Sequence, residues 1–404
     1  MAERSRWRGA KQQVRCPDSG GDEDAQMEKH GQRVLILSAS AGAGHVRAAE
    51  ALLKDFQAHP AVAHGGEVQH WDILKYSTAT FRYIYSKMYL DLVNKAPGVL
   101  GYMYKRTDVP WKKTFAQAFE KFNSGPFVKA IAQYKPDLVV ATHFTPPNVM
   151  AWLLAKHQLR VKPAIVVTDL DCHAMWLCRS YLHYFVSLEE TKVYLEQMGI
   201  APEKITASGI PVDPVFRIPR DKKTTRHTLG LDPESFTILV SAGGFGVGPV
   251  EMLIAELMKI ELPVQIVAIA GKSEELKAKL ERMAKKSPPT AKAKLHPIGF
   301  TKQMDEYMAA ADILISKPGG LTTAEAMSRG LPMCIVNPIP GQEERNSDHL
   351  LELGVAIKCN NPPTLGWKIQ QLMENPARLA QMKERAKAFG KPEAGRKIVE
   401  ELLG

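Results

Sequence analysis

The sequence predicts an α/β protein of two Rossmann-like domains facing each other across a cleft, and three observations lead there. The chain has 404 residues, more than one ordinary hydrophobic core organises. Short apolar runs alternate with longer amphipathic segments, the pattern of parallel strands joined by helices. The same plan also begins twice. "RVLILSASAGAGHVRAAEAL" from residue 33 and "FTILVSAGGFGVGPVEMLIAEL" from residue 236 share a buried strand, a small glycine-rich turn and an amphipathic helix.

Residues 1–32 are polar, mix both charge signs and lack an apolar stretch, so they read as a disordered tail and not a secretory signal. The first domain, 33–216, opens with a strand at 33–39 and continues with strands at 137–143, 164–170 and 183–188. The polar, basic stretch "RIPRDKKTTRHTLGLDPES" (217–235) reads as the linker. The second domain, 236–404, holds strands at 236–242, 264–270, 294–300, 311–317 and 332–337. In such sheets ligands sit beyond the carboxyl ends of the strands, where both glycine turns fall.

Hydrophobic content of 45% and charged content of 24% are those of a soluble globular protein. The longest apolar runs have strand length, so no membrane-spanning helix is expected. Five scattered cysteines (Cys16, Cys172, Cys178, Cys334, Cys359) without a CxxC suit a reducing cytoplasm. Cys172 and Cys178 flank His173, but no second ligand pair stands at zinc-like spacing, so no metal site is expected. The net charge of +10 points to an anionic partner, nucleic acid or an acidic membrane surface. The charge is concentrated: residues 75–123 carry nine Lys/Arg against three Asp/Glu.

The loop "SASAGAGHVR" (38–47) does not have the spacing of the known phosphate loops. Gly42 and Gly44 are too close for a GxxxxGK[ST] loop, and His45 stands where lysine is needed. A GxGxxG fingerprint fails because Arg47 replaces the third glycine. What remains is a histidine at a helix N-terminus, where the positive dipole end disfavours imidazolium. A neutral imidazole there can take a proton from a hydroxyl, or simply cap the turn.

"SKPGGLTTAEAMSRGLPMCIVNPIPGQEERNSDHLL" (316–351), together with "SASAGAGH", "VTDLDCHAMW" (167–176) and "SGIPVDPVF" (208–216), resembles the monogalactosyldiacylglycerol synthase and processive diacylglycerol glucosyltransferase family. These motifs occur in order along residues 33–400. The resemblance implies the GT-B fold and an inverting transfer of glucose or galactose from a UDP-sugar to diacylglycerol, with no metal and no cofactor beyond the donor itself. It makes His45 the base, with Asp169 or Asp171 orienting it or acting in its place. It gives Glu325 the ribose hydroxyls, and Ser316, Gly319, Gly320, Leu321 and Thr322 the phosphate or ribose. Gln342 and Glu343 read the sugar, and Asn346 caps the following helix. Gly42, Gly44, His143, His173 and Trp176 fall on the acceptor side. A leaving diphosphate needs backbone amides, which Gly243, Gly244, Gly246 and Gly248 let approach closely. Arg345 stands where many relatives have glycine.

With a lipid acceptor, the aromatic and basic interleaving of 76–123 reads as a surface for anionic membrane lipids, not nucleic acid. The expected location is peripheral, on the cytoplasmic face of the cell membrane. Two other enzymes fit the same two-lobed plan: an N-acetylglucosaminyltransferase with a polyprenyl-linked acceptor, and a UDP-sugar 2-epimerase.

Overall fold

The computed structural model describes residues 32–40, 42–76, 96–111, 125–155, 161–241, 250–288 and 290–404. The N-terminal tail, Gly243, Gly244, Gly246, Gly248 and most of the basic segment lie outside the described residues. Among those described, twelve strands form two six-stranded sheets. The first, in the order β2-β1-β3-β4-β5-β6, comprises β1 (Arg33–Ser38), β2 (Glu67–Asp72), β3 (Leu138–Ala141), β4 (Pro163–Val166), β5 (Tyr184–Val186) and β6 (Ile205–Ala207). The second, in the order β12-β11-β10-β7-β8-β9, comprises β7 (Phe236–Ser241), β8 (Val264–Ile269), β9 (Ala293–Ile298), β10 (Ile313–Ser316), β11 (Met333–Val336) and β12 (Ala356–Cys359). Neighbouring strands pair in parallel throughout.

The continuous apolar runs follow from burial on both faces of each sheet. In β1, Val34 and Ile36 pack with Ala49, Leu52 and Phe56 on one side. Leu35 and Leu37 pack with Phe127, Ile131 and Met150 on the other. Strand order reverses between β1 and β3 and again between β7 and β10. Those two switch points are where a parallel sheet opens a crevice at its carboxyl edge. Ser40, Gly42, Thr142 and His143 lie at the first, and Ser316 to Gly320 at the second.

The polar stretch 217–235 is folded onto the second domain. Helix Lys222–Thr228 is capped by Asp221, and Lys222, Arg226 and Lys383 converge on Asp312 at 2.9, 2.6 and 3.0 Å. Burial alone raises the Asp312 carboxyl, but those cations and the Thr237 amide bring it well below the usual carboxylate range. The last helix, Ala394–Leu403, returns to the first domain, where Ile398 and Val399 pack against the β1 face. Arg217 secures this return by holding Asp55 through two bonds of 2.6 Å and the Pro392 carbonyl at 3.2 Å.

The domains touch closely. Leu170, Ile210 and Val212 share a cluster with Leu321 and Ala324. Gly320 permits the contact because a Cβ there would stand 1.9 Å from the Thr168 carbonyl oxygen. No described helix is long and apolar enough to cross a membrane.

Candidate active site

His45 lies in the first turn of helix Ala43–Ala58, behind the Gly42 N-cap. Its Nδ1 is 3.1 Å from the Thr142 carbonyl oxygen and 2.7 Å from Thr168 Oγ1. A carbonyl only accepts, so Nδ1 carries the proton and Nε2 keeps its lone pair. Burial lowers the His45 pKa, opposed by the Asp169 charge and the Thr142 carbonyl. The ring is therefore a neutral acceptor at ordinary pH, and its helix position acts in the same direction. Thr142 and Thr168 were not singled out in the sequence, because a buried threonine at a strand end carries no signal of its own.

The carboxylate of Asp169 reaches across to the second domain. Gln342 Nε2 donates to both of its oxygens at 2.6 Å, and Asn346 Nδ2 donates to Oδ1 at 3.3 Å. Burial raises the Asp169 pKa, with the His45 ring and these two amides opposing. Its effect on His45 is thus electrostatic, while the orienting hydrogen bonds come from threonine and a main-chain carbonyl. Asn346 does not cap a helix. It lies inside helix Gln342–Glu352, where its Oδ1 accepts from the Leu170 amide at 2.9 Å. Gly341 and Glu344 cap that helix instead, and Glu343 accepts from the Ile339 amide at 2.7 Å.

His143 is buried beside His45, its ring edge-on with centroids 4.5 Å apart. Its Nδ1 accepts from the Thr145 amide, and burial keeps its pKa well below the ordinary value. Trp176 is buried behind the same pair of rings. His173 is also buried: Nδ1 accepts from the Met175 amide and Nε2 donates to the Tyr104 carbonyl. With both nitrogens engaged, it braces helix Pro97–Thr107 and holds no spare lone pair for a metal between Cys172 and Cys178. Asp171 accepts from Arg345 at 3.0 Å, and Arg345 also binds Asp108 and lies over the Tyr104 ring. Arg345 is thereby a tie between domains.

In the second domain, Ser316 ends β10, Gly319 caps helix Gly320–Ser328, and Leu321 packs 3.8 Å from the Cβ position of Gly44. Thr322 is partly exposed on that first turn. Glu325 is buried, and its carboxylate accepts from Arg47 of the opposite domain. The structure therefore gathers His45, Asp169, Gln342, Glu325 and the 316–322 turn along one interdomain seam. Among the described residues, nothing lies within 4 Å of a Cβ placed at Gly42.

Residues 45–212 match the family model for monogalactosyldiacylglycerol (MGDG) synthase, and residues 221–389 match that for glycosyl transferases group 1. A processive diacylglycerol β-glucosyltransferase of Staphylococcus aureus is 30% identical over 342 residues, spanning 83% of each chain. The chain belongs to this family of diacylglycerol glycosyltransferases. Among solved structures it is similar to Acinetobacter baumannii MurG, at TM-score 0.59 and 18% identity over 92% of this chain and 99% of that one. It is also similar to the UDP-GlcNAc 2-epimerase of Neisseria meningitidis, at TM-score 0.57 and 16% identity over 92% and 100%. The two parallel sheets and these neighbours give the GT-B fold. At such identities the likeness speaks to fold alone, so membership in the diacylglycerol family rests on the sequence match.

Proposed function

We propose that this chain transfers a hexose from a UDP-sugar to the free hydroxyl of diacylglycerol, with inversion, at a membrane surface. The observation that carries it is the neutral His45 whose Nδ1 proton is committed to its own domain, across the seam from buried Glu325. The acceptor oxygen attacks the anomeric carbon opposite the leaving group while His45 Nε2 takes its proton. The bond from the anomeric carbon to the β-phosphate oxygen breaks, and its electron pair leaves with UDP. Asp169 stabilises the imidazolium that forms, and the Gly320 helix N-terminus meets the diphosphate. Glu325 accepts from the ribose hydroxyls, and Gln342 and Glu343 read the sugar. The reading needs no divalent cation.

Helix Pro97–Thr107 brings the acceptor. Val99, Tyr102 and Met103 are exposed on it, with Lys105 and Arg106 in its last turn. Such a face suits the interface of an anionic leaflet, which favours the cytoplasmic side. Its other side meets the sugar-reading loop, since a Cβ at Gly341 would stand 2.6 Å from the Tyr104 ring.

The test is incubation of the purified full chain with labelled UDP-glucose, UDP-galactose or UDP-glucuronate, with and without diacylglycerol liposomes. Label should enter the lipid phase from a hexose donor and survive EDTA. Absence of lipid label from all three overturns the reading, and label only on a polyprenyl acceptor or an epimerised nucleotide selects one of the two alternatives. Activity lost to EDTA and restored by a divalent ion overturns the metal-free step.

A further inference from the structure

Arg47 stands two residues beyond the proposed base on the same helix. At about 100° per residue the two side chains diverge, so His45 turns into its own domain while Arg47 crosses the seam. Its guanidinium meets Glu325, whose side chain is 2% exposed against 42% for Arg47. Burial pushes the Glu325 carboxyl up to about 7, and the Arg47 charge pulls the other way. Arg47 is thus the charge that opposes this rise, yet more than a third of its own side chain faces outward.

Ribose hydroxyls satisfy the lone pairs of Glu325 without the guanidinium. The same nucleotide brings a diphosphate dianion, which hydroxyl donors cannot neutralise. Among the described residues, Arg345 is already bound by Asp108 and Asp171. Guanidinium is planar, always charged and suited to phosphate oxygens, and its five donors can serve two anions at once.

We infer that Arg47 is a donor-binding residue that holds the charge of Glu325 across the seam and serves the diphosphate once ribose hydroxyls occupy that carboxylate. The inference rests on the UDP-sugar reading and deepens it. One helix then delivers the base for the acceptor and the cation for the departing UDP, both from the acceptor domain.

Binding of UDP and of uridine to the full-length protein, measured by calorimetry for wild type, Arg47→Gln and Arg47→Lys, separates the possibilities. Arg47→Gln should weaken UDP by about tenfold or more, the scale of a lost charge-assisted bond. It should leave uridine unchanged or tighter, because Glu325 is released to the ribose. Arg47→Lys should keep UDP affinity between the two. Equal weakening of UDP and uridine makes Arg47 a structural partner of Glu325 only and overturns the inference. So does UDP binding that is unchanged or tighter in Arg47→Gln. Wild-type protein that binds neither ligand overturns the donor reading itself, and this inference with it.

Discussion

At His45 the decisive detail is which nitrogen is free. The Thr142 carbonyl fixes the proton on Nδ1, so Nε2 is the nitrogen left with a lone pair to accept one. His45→Ala should lower kcat by roughly 10²-fold or more, the usual scale of a general base. A change confined to KM would make His45 a ligand-positioning group. The pH profile carries a second expectation. Only the neutral ring accepts, and burial lowers its pKa from 6.5, so the acid limb of kcat/KM should lie below that value. Asp169 raises the His45 pKa, so Asp169→Asn should move the limb to still lower pH, whatever it does to the plateau. A limb that stays or moves up would remove Asp169 from the proton's surroundings. His45, Asp169 and Gln342 were legible as residues, whereas Thr142, Thr168 and Arg47 were not. Their contacts bridge separations of 97, 123 and 278 residues, which no local pattern encodes.

At the level of elements, helix Pro97–Thr107 has two working sides. Gly101 and Tyr104 lie against Pro340 and Gly341, while Val99, Tyr102 and Met103 remain exposed. Proline at its start and basic residues at its end both suit a helix. Reversing Lys105 and Arg106 to Glu should weaken binding to anionic vesicles at least tenfold at low salt, from about 1 kcal/mol per basic residue near a charged leaflet. The difference should fade as salt rises, and vesicle binding unchanged at low salt would remove this helix from the membrane contact. Strands show a related asymmetry between what was read and what was not. β2, β6 and β12 were missed, and all three are sheet edges. β2, "EVQHWD", is polar because it has one neighbour and a partly open face, while central strands such as "RVLILS" are apolar throughout.

The whole molecule is joined by charge as well as by apolar contact. Asp55 lies in the first domain, Arg217 at the crossover, and Gly395 in the returning helix would place a Cβ 2.0 Å from the Asp55 carboxylate. Replacing Arg217 with Ala leaves that carboxylate buried without its partner. The expected cost is about 3–5 kcal/mol, the usual penalty for breaking a buried pair from one side. Urea denaturation of the variant beside Asp55→Ala and the double variant measures the coupling. A coupling near zero would reduce the clamp to a surface pair. Because Arg217 ties helix Ala394–Leu403 to the first domain, the same variant should also free the C-terminal residues to protease before the β-sheets unfold.

The sequence by itself determined the two α/β halves with parallel strands, the places of their central strands along the chain, and the residue types at the site. Strand burial and glycine turns are local needs, and each leaves a local pattern. Tertiary structure alone decided how the halves engage: that Asp169 is held by Gln342 and Asn346, that Arg345 spans Asp108 and Asp171, and that Arg47 answers Glu325. Those pairings exist only when two separately wound sheets bring their carboxyl edges together. Charges far apart in sequence then share one poorly solvated seam, where each must find a partner.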